Sequence, residues 1–516
     1  MLNKTLILKR NLFIFLFLLV ILIVERFVFL LKFGFVYTGS DDMIFWQAAT
    51  DYMQGIFHEP YFYGQNYNFM LEAFLAIPFL KLGMDYNFTF PIVTNIITLF
   101  PFILFAFVLY RKSYFIESFV FLIIPLTMPV EYSILTTITR GFVSGLFFIS
   151  FLIYPILYPT KKKSFFIFGI CASLSYIFNP NALIVAVPIG IYLFLNNYKS
   201  PLFYIINIVC STPILYIEYL AKQFYEIHTD YKVCWMWKLE YSFKQLFYDL
   251  KHLDNVFSYL NPIIWNWGWL SLLILLFAGF YLIKFDKTKG ISVFVSVIFI
   301  FFTLGINKVN DSMGIIFLSI PRMFLGIPLL LSITFLWSRK YLTCSEKAFK
   351  YSFVFIAVIF FFLKIYISPF IIEEHVNLKP DSGIAIKKIS SLKDECSELA
   401  EHAEDYNIDL IIFLPDWQIN VPRMEFYNYG CPLIEKNFKR TLLNVYEKRT
   451  WVYLKEKKSI RKNILLYGYV DKKLLLQNTE YEIISENPQI TIIKNNNFIT
   501  ETFLNNLNIK LKRNSY

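Results

Sequence analysis

Two adjacent carboxylates, Asp41-Asp42, follow the first long apolar run of the chain, in Tyr37-Thr-Gly-Ser-Asp-Asp-Met-Ile-Phe-Trp-Gln-Ala-Ala-Thr-Asp-Tyr-Met-Gln-Gly55. A carboxylate can take the proton of an attacking hydroxyl, a contribution typically worth about 10²–10⁴ in rate. A neighbouring acid and a low-dielectric boundary both raise carboxylate pKa values and so improve the base. The competing role is structural: Ser40 or Asp41 caps a helix, accepting free backbone N–H groups at the positive end of the dipole. A cap needs one acid, and two stand here, where charge is costly unless it is solvated or used.

The elements that must position this pair are membrane helices. Of the 516 residues, 57% are hydrophobic and only 17% are charged, against about 25% charged in soluble domains. Leu12 to Leu31 and Ser352 to Ile371 run almost without charge for the roughly 20 residues that cross a bilayer core. The first run is too long for a signal-peptide core and is followed by Glu25, Arg26 and Lys32 in place of a small-residue cleavage site, so it is expected to be retained. Spans are expected over residues 12–32, 87–110, 114–132, 140–158, 164–179, 181–196, 201–221, 264–283, 290–306, 315–337 and 351–370.

The net charge of +11 does not point to nucleic acid, because the basic residues fall in short clusters between spans. Arg111/Lys112, Lys161 to Lys163, Lys284/Lys287/Lys289 and Arg339/Lys340/Lys347/Lys350 read as cytoplasmic loops under the positive-inside rule. That choice puts the N-terminus in the cytoplasm, and the 33–86 loop, residues 222–263 and the tail outside. No phosphate-cradling glycine motif is present on the inner side.

The expected fold is therefore mainly α: a polytopic membrane protein of about eleven transmembrane helices with a small C-terminal α/β extracytoplasmic domain. The division is 1–371 for the transmembrane domain, including the 33–86 loop, and 372–516 for the soluble one. In the tail, Leu392 to Tyr406 has an amphipathic helical pattern, and Asp409 to Leu414, Asn463 to Val470 and Gln489 to Ile493 read as strands. Cys234, Cys396 and Cys431 are external in this topology; a Cys396–Cys431 disulfide and free buried thiols are both open, and no spacing suggests zinc.

Within the first loop, Ile44, Phe45, Ala48, Ala49 and Tyr52 recur at helical spacing, predicting a helix along the membrane surface with Asp41 and Asp42 in its first turn. It is followed by Tyr63-Gly-Gln-Asn-Tyr-Asn-Phe-Met-Leu-Glu-Ala-Phe-Leu-Ala-Ile-Pro78. An acid pair opening the first external loop, then Gly-Gln-x-Tyr and Leu-Glu-Ala, resembles the GT-C glycosyltransferases. The likeness is to the bacterial relatives of protein O-mannosyltransferases and lipid A aminoarabinose transferases, and it covers the helical region to about Leu336, in layout more than in letters.

The resemblance implies inverting transfer of a sugar from a polyprenyl-phosphate donor to a lipid, glycan or protein acceptor outside, with Asp41 as base and Asp42 as its electrostatic or metal-binding partner. Members of the family differ in metal dependence, so a divalent ion (Mg or Mn) on Asp41 and Asp42 stays open. The implied site is a bacterial inner membrane, and a lipid-carried donor suits chemistry on a face without nucleotide sugars. The rivals are a polysaccharide polymerase or ligase of the O-antigen type and, less in keeping with the absence of repeated halves, a transporter.

Supporting residues carry alternatives. Glu72 either orients the acceptor, completes an acidic cluster with Asp41, or is a surface glutamate on an interfacial helix; His58 is a phosphate contact or a solvated loop residue. Tyr63, Gln65 and Tyr67 belong to the same motif and are candidates for the acceptor side. Arg140 and Arg322, the latter in Ile320-Pro-Arg-Met-Phe-Leu-Gly326, are candidates for the donor phosphate, since guanidinium grips phosphate in a fork; Lys308 is a further one. Arg140 would otherwise pair with Glu131, and Arg322 would snorkel to headgroups. His228, Asp230, Trp235, Trp237, Tyr241 and Trp265 to Trp269 offer a sugar-stacking groove or an aromatic belt. The segment from Pro415 to Tyr427 is a candidate cover for the site.

Overall fold

The structure is a computed structural model of the full chain. It describes residues 2–231, 233, 240–310, 316–343, 345–377, 386–414, 427, 429–435, 438, 440–443, 448–470, 481–487 and 489–509. Trp235, Trp237, Cys234 and the stretch 415–426 lie outside them.

The chain is mostly helical, and helix falls within every expected span. Six helical stretches among the described residues are long and apolar enough to cross a membrane: Leu8–Gly34, Tyr86–Arg111, Pro180–Asn197, Pro201–Ile227, Ile320–Tyr341 and Glu346–Asn377. Phe115–Thr127, Ser144–Leu157 and Leu270–Ile283 are shorter apolar helices. This is an integral membrane protein.

Several spans are broken where their sequences predict continuous helix. The segment expected over 140–158 begins only at Ser144 and passes through a tight turn at Ser150–Leu152. The tenth opens as a 3₁₀ turn, Ile320–Phe324, that carries Pro321, before the helix Ile327–Ser338. Proline lacks the N–H that a continuous helix would need there. The helix expected from 264 starts at Leu270 instead, because Trp265 to Trp269 form a turn in which Trp265 donates to the carbonyl of Thr127 at 2.8 Å.

The chain divides into two compact units. The first is Met1–Gly34, Pro91–Glu218 and Lys238–Leu378; the second is Phe35–Phe90, Tyr219–Trp237 and Lys379–Tyr516. Residues Phe35–Phe90 thus pack with the tail, where the sequence division at 371 keeps them with the helices.

Inside the helical unit, the buried charges of the first span are paired, as a water-poor interior requires. Glu25 and Arg26, each 2% exposed, sit with Lys364. Glu25 Oε1 lies 2.5 Å from Lys364 Nζ and Oε2 lies 3.5 Å from Arg26 Nε. Arg26 donates to the Thr136 hydroxyl at 3.3 Å, and Lys364 to the Ser133 hydroxyl at 3.1 Å. Lys32 donates to the carbonyl of Ile365 at 2.6 Å. At Gly34, which ends the first span, a Cβ would fall 2.7 Å from Leu30 and 2.9 Å from Thr137, so that close crossing requires glycine.

The second unit holds two sheets. Strand β1 (Tyr37–Gly39) pairs antiparallel with β2 (Ile386–Lys388), Gly39 opposite Ile386. Strands β3 (Leu410–Phe413), β4 (Thr441–Leu443), β5 (Asn463–Tyr467), β6 (Tyr481–Glu486) and β7 (Ile490–Asn495) form a mixed sheet in the order β4-β3-β5-β7-β6. Its core joins Leu410, Ile412, Ile464 and Leu466 to Phe503 and Leu504 of the helix Thr500–Asn506. The amphipathic helix runs Ile389–Asp405, and Cys396 is disulfide-bonded to Cys431, which resolves the open pairing. Because β1 and β2 share hydrogen bonds, residues 37–39 and 386–388 lie on one side of the membrane. An even number of crossings must separate them, which the ten spans expected between them satisfy.

Candidate active site

The acid pair is divided between two tasks. β1 delivers the chain to Gly39 in an extended conformation, and the helix Ser40–Met53 begins at once. Asp42 is 5% exposed and turns back: its Oδ2 accepts the Gly39 N–H at 2.8 Å and the Thr38 hydroxyl at 3.1 Å. This is the return half of a capping box. Asp41 is left facing outward, its side chain 24% exposed and its Oδ1 3.2 Å from Nζ of Lys448. Lys448 is 407 positions away in sequence and 8% exposed at its side chain.

As a divalent-ion seat this geometry fits poorly. A carboxylate oxygen of Asp42 is occupied by N–H and O–H donors and Asp41 faces an ammonium, whereas Mg or Mn needs several convergent oxygens. No group of three His, Cys, Asp or Glu suited to a metal occurs among the described residues.

The helix predicted to lie along a surface is instead buried nearly all round. Met43, Ile44, Phe45, Trp46, Ala48 and Ala49 are all 2% exposed or less. The helix Leu71–Lys81 packs against it and buries Glu72 completely in its own first turn. Glu72 is therefore not a surface glutamate. Two further carboxylates of the loop are also engaged. Asp51 accepts from the Tyr63 hydroxyl and from Gln47, each at 2.8 Å. Glu59 accepts from the Tyr225 hydroxyl at 3.0 Å, and the same hydroxyl reaches the carbonyl of Gln65 at 2.9 Å. Tyr67 is half-buried in the same loop.

His58 is not a solvated loop residue. Its ring lies flat on Trp451, with centroids 3.8 Å apart and planes within 5°. Nε2 stands 3.8 Å from Asp51 Oδ2, and Tyr63 meets the same indole edge-on at 4.6 Å. Burial pushes the Asp51 carboxyl up, against hydrogen bonds from Tyr63 and Gln47 and the charges of His58 and Arg449. Burial also pushes the His58 imidazole down, against the pull of Asp51. Tyr63, raised by burial and then by Asp51, stays a donor.

Gly64 explains the glycine of the motif. Its φ of +79° is left-handed, and a Cβ there would meet the Cβ of Lys448 at 3.1 Å. The turn Tyr63 to Gln65 thus braces the backbone of the lysine that reaches Asp41. Arg449 donates to the carbonyl and hydroxyl of Thr441 at 2.8 and 3.1 Å and lies over the ring of Tyr429.

Arg140, Arg322 and Lys308 belong to the helical unit. The two arginines are 4% and 3% exposed and face each other's segments: Arg140 lies 5.2 Å over Phe317, and Arg322 lies 6.0 Å over Phe142. Arg322 also donates to the carbonyl of Ser319 at 3.1 Å, while its own carbonyl accepts from Asn181 at 3.2 Å. Burial with aromatic faces rules out simple snorkelling of Arg322. Lys308 is half-buried. In the 222–263 region, His228 and Asp230 are exposed, and Tyr241 stacks on Phe302.

Lys448, Trp451, Asp51, Glu59 and Tyr225 are the members of this cluster that sequence reasoning passes over. Asp51 lies inside the helical segment already marked, where an acid beside the apolar positions was the available signal. Nothing near Lys448 in sequence points to Asp41.

No protein-family model matches the sequence, and no curated protein matches it. Solved structures do. Two of them are ArnT from Cupriavidus metallidurans bound to undecaprenyl phosphate (9% identity, 92% of this chain and 97% of that one, TM-score 0.53) and the same protein in the apo state (9%, 92% and 97%, TM-score 0.55). This chain has the fold of ArnT. ArnT is a GT-C glycosyltransferase, so the fold implied by the acid-pair motif is the fold observed, over nearly the full length of both chains.

Proposed function

We propose that this chain is an inverting membrane glycosyltransferase that moves a sugar from a polyprenyl-phosphate donor to a hydroxyl acceptor on the outer face of a bacterial inner membrane. The observation that carries this reading is the division of the acid pair: with Asp42 used as a cap, Asp41 is the partly exposed carboxylate at the head of the loop. The fold shared with a protein solved with undecaprenyl phosphate supports the donor class.

In this reaction Asp41 accepts the proton of the acceptor hydroxyl as its oxygen bonds to the anomeric carbon. The bond from that carbon to the phosphate oxygen breaks, and its electron pair leaves with the lipid phosphate. Single displacement inverts the anomeric centre. The donor's phosphate needs fixed positive charge, which guanidinium supplies in a bidentate fork; buried Arg322 and Arg140 are the proposed ligands, with Lys308 in reserve. Glu72, His58, Tyr63, Gln65 and Tyr67 shape the loop that presents Asp41. The hexosyl or pentosyl group and the lipid, glycan or protein acceptor are left to experiment.

The test is purification into lipid nanodiscs and incubation with a panel of undecaprenyl-phosphate sugars, following release of undecaprenyl phosphate. Wild type should turn over at least one donor and Asp41→Asn should not. Failure with every donor would favour a polymerase or ligase that takes a lipid-diphosphate glycan.

A further inference from the structure

The ion pair on Asp41 is an unexpected companion for a general base. A carboxylate paired with an ammonium is a weaker proton acceptor than a free one. Lys448 is held there firmly: its residue is 6% exposed, its Cβ is braced by the left-handed turn at Gly64, and its ammonium lies 5.9 Å from the centre of the Phe62 ring. Its neighbour Arg449 is anchored to Thr441 at the end of β4, and Trp451 is clamped by His58. The lysine backbone is thus held by Gly64 and by the residues that follow it, while its ammonium, on four rotatable carbons, can change partner.

Resting on the reading of Asp41 as base, we propose that Lys448 is a phosphate ligand parked on the base, and that arrival of the donor moves its ammonium from Asp41 to the donor's phosphate. An ammonium carries three donors and acts as a point charge on phosphate. A phosphate that gains a second negative charge as its sugar leaves is a stronger partner than a single carboxylate. The transfer frees Asp41 as base only when a donor is present, and it places positive charge where the departing electron pair arrives. As the acceptor proton passes to Asp41, the new carbon–oxygen bond forms and the carbon–phosphate-oxygen bond breaks. Lys448 keeps all its protons throughout. Release of the lipid phosphate returns it to Asp41.

The test uses the full chain in nanodiscs and measures binding of undecaprenyl phosphate, with undecaprenol as the uncharged control. Lys448→Met should weaken phosphate binding about tenfold or more, and Lys448→Arg should restore most of it. Asp41→Asn, which removes the parking partner, should bind undecaprenyl phosphate several-fold more tightly than wild type. Undecaprenol should bind all four proteins alike, which a misfolded variant would not permit. Unchanged phosphate binding in both Lys448→Met and Asp41→Asn overturns the parking role even if Asp41→Asn has lost transfer. Retained transfer by Asp41→Asn instead sinks the base assignment, and the proposal with it.

Discussion

The carboxylate of Asp42 accepts the backbone N–H of Gly39 at 2.8 Å. The two acids therefore answer to different assays. Asp42→Ala leaves a buried N–H and the Thr38 hydroxyl without their acceptor, at a cost of about 1–3 kcal/mol. Asp41→Asn keeps the side chain's volume and an oxygen that can accept from the Lys448 ammonium, so it loses less stability than Asp42→Ala, while reducing transfer by about 10²-fold or more. Thermal unfolding in detergent, read beside turnover, separates them; equal loss of stability in both would contradict the division.

In the helical unit, Glu25 is the carboxylate that Lys364 and Arg26 share. Glu25→Gln leaves two buried cations without it, and breaking a buried pair this way costs about 3–5 kcal/mol. Lys364→Met costs less, because Glu25 keeps Arg26. Unfolding midpoints of the two single variants give the order, and the reverse order would mean that Lys364 is the group the site depends on.

The Cys396–Cys431 bridge spans 35 positions, a loop for which removal typically costs about 2–4 kcal/mol. Cys431→Ser should lower the unfolding midpoint of the tail, and intact-mass analysis without reductant should show the bridge in wild type. A free thiol at both positions in oxidised protein would refute it.

His58 is held neutral by burial, its pKa lowered in the folded state. A depressed imidazole contributes stability that is present above its ordinary value of about 6.5 and is lost as pH falls through the folded value. Asp51, raised by burial, works in the opposite sense, its contribution fading as pH rises above the ordinary carboxylate range. His58→Gln removes the first effect. The stability gap between wild type and this variant should narrow from pH 7.5 to pH 5.5; a constant gap would show that the imidazole does not titrate against folding.

The membrane helices, the α/β tail and the position of the acid pair were legible because each rests on local pattern: apolar runs, amphipathic period, turn chemistry. What escaped was set by distance in the chain. Asp41 meets Lys448, Gly39 pairs with Ile386 and Glu59 meets Tyr225 across 166 residues or more, and no local rule ties those positions together. The helix Ser40–Met53, expected along a surface, is covered instead: Asp42 and Asp51 take hydrogen bonds inside the fold, from Gly39, Tyr63 and Gln47, which its apolar period does not register. The breaks at Ser150 and Pro321 follow from local backbone demands that a hydropathy pattern does not register.

Pairing of β1 with β2 also sets a clock. The strand that leads into Asp41 is among the first segments made, yet its partner at residues 386–388 and the ammonium at 448 are translated only after the last span. A nascent chain stalled anywhere before the tail is made holds Asp41 beside an unpaired strand edge. Assembly of this unit is deferred to the end of biogenesis, so a truncated protein has an incomplete Asp41 loop.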